Sequence, residues 1–198
     1  YNEAFDRLPH RVRRFFTQLI SYSPANVDRS RASAGFLLRS VMKAISNHPE
    51  LGSRLKVKLV GLLDPSDKEL IGELGLSEVV ETTGQMPYSE AQQVMQEADV
   101  LYLPFWRSPD KVRIPRVPSK VYEYIGSGKP ILCVVDDGDT KDIVQEAGTG
   151  IICEKMTEEA LAAKIGELFQ NHLNGELKVN PNWDFISQYS WQSVVSQI

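Results

Sequence analysis

Lys120 and Glu123 stand three residues apart in the run Pro118-Ser-Lys-Val-Tyr-Glu-Tyr-Ile-Gly-Ser-Gly-Lys-Pro-Ile-Leu132. In a helix that spacing puts an ammonium and a carboxylate on one face. Ser119 occupies the position of a cap for the first turn, so the pair lies near a helix N-terminus, where open amides and the macrodipole favour an anion. A nucleoside diphosphate suits such a place. The lysine and the amides take phosphate oxygens, and the carboxylate accepts from the two ribose hydroxyls. The competing reading is an exposed i,i+3 ion pair, worth roughly a few tenths of a kcal/mol on an ordinary surface helix. These two residues do not decide between the readings by themselves.

The elements that must position them are legible on either side. Val121 and Ile125 share an apolar face, Gly126 and Gly128 stop the helix, and Pro130 opens the apolar run 131–135, which reads as a buried strand. Strands are expected at 17–22, 55–63, 79–83, 99–104, 131–135 and 148–153, and helices at 36–47, 64–74, 89–98, 119–126, 140–147 and 158–170. Leu37, Val41, Ala44 and Ile45 trace one buried stripe, and Ala160, Leu161, Ile165 and Leu168 trace another. Asp64, Ser89 and Thr157 are placed as helix caps, with Pro65 as a first helical residue and Gly75 as a left-handed stop. Residues 171–183 read as polar and turn-rich, and a last helix is expected after Ser190. Strand and helix alternate at βαβ spacing, so the expected fold is α/β: a Rossmann-like open sheet of about six mainly parallel strands flanked by helices.

In such a sheet, ligands bind outside the carboxyl ends of the strands. The loop 105–117 follows the fourth expected strand and carries Arg107, Lys111, Arg113 and Arg116 against one carboxylate, Asp110. Arg116 is therefore a candidate for an anion. A solvated loop is the alternative, and the length and aromatic content of the segment also suit a mobile flap.

The set Pro118, Lys120, Glu123, Tyr124, Gly128 and Pro130 resembles the signature P-x-K-x-x-E-Y-x-x-x-G-x-P in the C-terminal, donor-binding domain of GT-B glycosyltransferases of the family-4 type (group 1). Val60-Gly61, Gly84-Gln-Met-Pro87, Ala98-Asp-Val-Leu-Tyr-Leu-Pro104 and Glu146-Ala-Gly-Thr-Gly150 flank it in the order and spacing of that domain. The resemblance implies roles residue by residue. Glu123 would hold the ribose, Lys120, Arg31 and the Ser119 amide the diphosphate, and Gln85 with Met86 the base. Arg29 shares the loop of Arg31 in Asp28-Arg29-Ser30-Arg31, and both arginines have the alternative of being solvated loop charges. The turn 84–87 is equally explained as the entry to a helix. Two departures stand out. Ser23-Pro24 replaces the glycine that many relatives have directly after the first strand, and Pro115 stands where they have the first of two glutamates, the one near the donor sugar.

The implied function is that of the donor-binding half of an enzyme transferring a hexose-type sugar from a nucleoside diphosphate to an acceptor such as a glycan or lipid-linked glycan. Its expected partners are the nucleotide-sugar donor and an N-terminal acceptor-binding domain of the same protein, and no cofactor is expected. Residues 1–16 would be the interdomain segment and 17–198 the nucleotide-sugar-binding domain with a C-terminal crossing helix. A non-catalytic interaction module of the same fold and a GT-B-type nucleotide-sugar epimerase remain as alternatives. No residue reads as a catalytic base or nucleophile: the zinc spacings, G-x-S-x-G, Walker A and G-x-G-x-x-G are all absent. His10, His48 and His172 fall in polar or turn contexts and read as surface residues.

With 198 residues, 42% hydrophobic and 24% charged, the composition is that of an ordinary soluble domain with one substantial core. A formal charge of −4 argues against a nucleic-acid partner, so an anion site must be local. No run of eighteen apolar residues is present. The basic and apolar stretch 7–16 admits contact with a membrane surface but reads better as a segment crossing between domains. Cys133 and Cys153 each sit in an apolar run and read as buried reduced thiols. The expected location is cytoplasmic, with peripheral contact at the inner membrane face through the companion domain.

Overall fold

The computed structural model describes residues 33–105 and 113–190. The expected first strand at 17–22, the interdomain segment and the helix after Ser190 lie outside the described residues. Within them the chain runs α1 (Ala34–Asn47), α2 (Leu51–Arg54), β1 (Val57–Val60), α3 (Pro65–Glu73), β2 (Val80–Gly84), α4 (Tyr88–Glu97), β3 (Leu101–Pro104) and α5 (Lys120–Gly126). It continues through β4 (Ile131–Val134), α6 (Asp139–Glu146), β5 (Gly150–Ile152), α7 (Glu158–Leu173) and α8 (Trp183–Ser187).

β1 pairs with β2, and β3 pairs with β4 and β4 with β5, all parallel. Five strands in two sheets are therefore present among the described residues, against the six expected in one. Numbered with 17–22 as the first expected strand, the two described sheets match the outer arms 3-2 and 4-5-6 of the doubly wound order.

β4 shows why the order forms two helical layers. All four of its residues are buried, and alternation sends Leu132 and Val134 to one cluster and Ile131 and Cys133 to the other. The first cluster takes Phe36, Leu37, Val41 and Ala44 from α1 and Leu161, Ile165 and Leu168 from α7. The second takes Val121 and Ile125 from α5, Val144 from α6 and Ile186 from α8. Each such aliphatic side chain contributes about 1.5–3 kcal/mol when fully buried. Arg39 and Lys43 on α1 also pair with Glu158 and Glu159 on α7, binding the outer helices together.

Three expected caps need correction. Ser119 has helical dihedrals (φ −55°, ψ −36°) and makes no side-chain cap bond, because a residue already inside the helical basin directs its hydroxyl away from the first-turn amides. Ser89 lies inside α4, which starts at Tyr88 after Pro87. Asp64 has the extended backbone of a cap but lacks the side-chain bond, and Pro65 fills the first helical position. Thr157 does cap α7, accepting from the Ala160 amide at 3.2 Å. The stretch expected to be turn-rich is partly helical, since α7 runs to Leu173 and α8 begins at Trp183. In α4 no residue is fully buried, although Met95 and Ala98 pack against the second cluster.

Candidate donor-binding site

α5 presents two faces. Val121 and Ile125 are fully buried, Tyr124 is half-buried against the second cluster, and Lys120, Tyr122 and Glu123 face outward. Among the described residues Lys120 and Glu123 form no ion pair with each other. The Val121 amide donates to the Pro118 carbonyl at 3.0 Å and the Tyr122 amide to the Ser119 carbonyl at 3.1 Å. Of the first turn, the Ser119 and Lys120 amides are then left without a backbone partner among the described residues. The Tyr124 phenol is held above its usual pKa, first by burial and then by the Glu123 carboxylate.

The far end of α5 is shaped by packing. Gly128 adopts φ +68°, and a Cβ there would lie 2.8 Å from the Trp183 ring. The Tyr189 ring lies 5.1 Å from Tyr122 and meets Phe185 edge-on at 5.3 Å. The Asn182 amide donates to the Ala147 carbonyl at 2.9 Å, and a Cβ on Gly148 would come within 2.2 Å of the Asn180 carbonyl oxygen. Residues 180–189 thus strap the turns after α5 and α6. Gly128, read from sequence as a helix stop, is also a site of close approach, whereas Gly126 has open space around it.

Gln85 and Met86 lie on the turn after β2, whose last residue, Gly84, adopts φ +68° and accepts from the Gly61 amide at 3.0 Å. Gln85 is exposed and Met86 half-buried. They share with α5 a place beyond the carboxyl end of a parallel strand, β2 in one case and β3 in the other. Arg116 is exposed and lies on the connection from β3 into α5, four residues before Lys120. Arg29 and Arg31 lie outside the described residues.

Beyond β4 and β5 an open depression is lined by Val135, Asp136, Asp137, Lys141, Ile152 and Glu154. Lys141 holds Asp137 at 2.9 Å and approaches Glu154 at 4.0 Å. That hydrogen bond raises the lysine pKa and lowers that of Asp137. Three carboxylates outweigh one ammonium there, which disfavours a phosphate, whereas Arg116 and Lys120 lie exposed on the approach to α5. Among the described residues no group of His, Cys, Asp and Glu is arranged to hold a metal ion, and no helix is long and apolar enough to cross a membrane. Both cysteines are free and buried, on opposite sides of the sheet.

Sequence reasoning missed the residues that hold the connection into α5. Thr140 is 2% exposed and its hydroxyl donates to the Arg116 carbonyl at 2.7 Å, while Gly138 bridges Ile114. Asp136-Asp137-Gly138 was readable as a turn into a helix, but nothing local marks its partner more than twenty residues away.

The fold has relatives among solved structures. HepE of Anabaena, solved with UDP and glucose, matches with a TM-score of 0.59 at 16% identity over 100% of this chain and 53% of that one. Sucrose-phosphate synthase of Thermosynechococcus elongatus matches with a TM-score of 0.62 at 18% identity over 86% of this chain and 41% of that one. WaaG, a glycosyltransferase involved in lipopolysaccharide biosynthesis, matches with a TM-score of 0.55 at 14% identity over 96% and 48%. The chain thus spans about half or less of the length of these structures. No curated protein sequence matches it. The model of the family "Glycosyl transferases group 1" matches residues 38–182, a span that contains α5 with its signature and the turn after β2. With that match over most of its length and a GT-B half as its fold, the chain belongs to the group 1 glycosyl transferases.

Proposed function

We propose that this chain is the donor-binding half of a glycosyltransferase that moves a hexose-type sugar from a nucleoside diphosphate to an acceptor such as a glycan or lipid-linked glycan. The observation that carries the reading is the state of α5: Lys120 and Glu123 point outward, unpaired with each other, beyond the carboxyl end of a parallel strand. Glu123 accepts from the ribose hydroxyls, Lys120 and the Ser119 amide take phosphate oxygens together with Arg31, and Gln85 with Met86 covers the base. Arg29 and Arg116 add positive charge at the mouth of the site. That solved relatives were crystallised with UDP supports a nucleotide-sugar as the donor.

No residue of the sequence reads as a nucleophile or base, so this half contributes by holding the leaving diphosphate where charge develops, while a companion N-terminal domain orients the acceptor. The donor is a substrate, and the reading invokes no cofactor. Pro115, in place of the first glutamate of related enzymes, keeps a second reading alive: an interaction module of the same fold. A GT-B-type nucleotide-sugar epimerase is a third. Calorimetric titration with UDP, GDP and ADP and their glucose conjugates separates them. Binding without epimer formation supports the donor half, binding with epimer formation the epimerase, and no binding the interaction module. The cytoplasm, with peripheral contact at the inner membrane face through the companion domain, is the location this reading implies.

A further inference from the structure

Residues 113–117 are neither helix nor strand, yet they are tied to the start of α6 at several points. The Ile114 amide donates to the Asp137 carbonyl at 3.1 Å, and the Asp139 amide donates to the Ile114 carbonyl at 3.2 Å. The Thr140 hydroxyl donates to the Arg116 carbonyl at 2.7 Å, and the Arg113 guanidinium bridges Asp139 and Asp142 at 2.7 and 2.5 Å. Gly138 lies so close beneath Ile114 that a Cβ would be 2.4 Å from its carbonyl oxygen. The φ of Gly138, 161°, is extended backbone open to any residue, so it is space that requires glycine.

These ties are unequal. Arg113 and both of its partners are about half exposed, where an ion pair contributes little. The Thr140 bond is made by a buried side chain, and breaking it leaves the Arg116 carbonyl without that partner. From Arg116 the chain reaches Lys120 in four residues, and Pro118 stiffens both itself and Val117. A shift at Arg116 is therefore passed on to Ser119 and Lys120 instead of being absorbed. The first amide of α6, that of Asp139, is likewise taken up by this segment, through the Ile114 carbonyl.

We propose that Thr140 and Gly138 are positioning residues for the donor diphosphate: they clamp residues 113–117 on the start of α6 and so set where Arg116, Ser119 and Lys120 stand. This rests on the donor-binding reading above. The clamp acts on the phosphate end of the ligand and leaves the turn after β2 untouched. Its loss must then reduce the preference for a diphosphate over a monophosphate, which a general loss of structure would not do.

The test is calorimetric titration of this chain with UDP and UMP, GDP and GMP, and ADP and AMP, with thermal unfolding to verify the fold. Thr140→Val should weaken the preferred diphosphate about tenfold and its monophosphate less than about twofold, Thr140→Ser should restore both, and Gly138→Ala, which pushes the segment from below, should repeat the pattern. Diphosphate affinity unchanged in both Thr140→Val and Gly138→Ala overturns the proposal, as does a loss shared equally by diphosphate and monophosphate. A wild-type chain that binds none of the six nucleotides overturns the donor reading itself, a result distinct from either of these.

Discussion

At the scale of single residues, charge and burial separate the groups proposed to face a ligand from those that hold the fold. Lys120 is exposed, so its attraction for a diphosphate acts through water and is screened. Lys120→Ala is expected to weaken nucleoside diphosphate binding more at about 20 mM than at about 500 mM salt in titrations run at both, and an equal loss would rule out a charge role. Cys133 shows the opposite environment. It is fully buried, and burial pushes its thiol up to about 12 from the ordinary 9.0. Below pH 9 the thiol is protonated in both states and its contribution to stability is intact. As pH rises from 9 toward 12 the unfolded chain releases the proton that the folded chain keeps, so stability falls. Burial of the Tyr102 and Tyr124 phenols acts in the same sense. Urea unfolding of Cys133→Val at pH 8 and pH 10.5 should therefore show a shallower alkaline loss than the wild type, by up to about 1.4 kcal/mol per pH unit above 9. Parallel losses would mean that the thiol is not shielded.

At the scale of elements, the left-handed glycines after helices separate into two kinds. Gly75 and Gly148 share a left-handed backbone, φ +66° and +68°, but only Gly148 faces another part of the chain, the Asn180 carbonyl. Gly75→Ala should cost about 1–2 kcal/mol from conformation alone, and Gly148→Ala clearly more, because the strap 180–189 must also move. Urea denaturation of the two variants decides it, and equal costs would show that the strap yields freely. The same contrast explains what could be read from sequence. Helices α1, α5 and α7 and the buried strand β4 were legible because periodicity and flanking glycine or proline are local signals. Strand ends, the helical residues 183–187, the role of Gly138 and the failed cap at Ser119 were not. Each is decided by a partner distant in sequence: Trp183 by Gly128, Gly138 by Ile114, and Ser119 by a connection already pinned through Thr140 and Arg116. Of the proposed site, Lys120 and Glu123 stand out by their spacing, whereas the bonds that tie residues 113–117 to α6 left no mark in the sequence.

At the scale of the whole molecule, a chain with a net charge of −4 must offer an anion a local site, and among the described residues Arg116 and Lys120 lie exposed on the approach to α5 while carboxylates line the neighbouring depression. Chemistry in a GT-B fold takes place between two such halves, where water is excluded and the acceptor is aligned. This half is therefore expected to bind donor but not to transfer sugar. A radiolabelled-donor assay on this chain, with contaminating enzyme excluded, should show no transfer, and robust turnover would put the catalytic machinery within these residues. The most direct test of the account is a paired calorimetric titration of the wild type and Glu123→Ala with the nucleoside diphosphate that binds best among UDP, GDP and ADP. The wild type should bind with a Kd between about micromolar and millimolar, and Glu123→Ala should lose about 1.5–3 kcal/mol, the range for a hydrogen bond to a charged group. Equal affinity in a folded Glu123→Ala variant would contradict the assignment of α5 as the element that holds the donor.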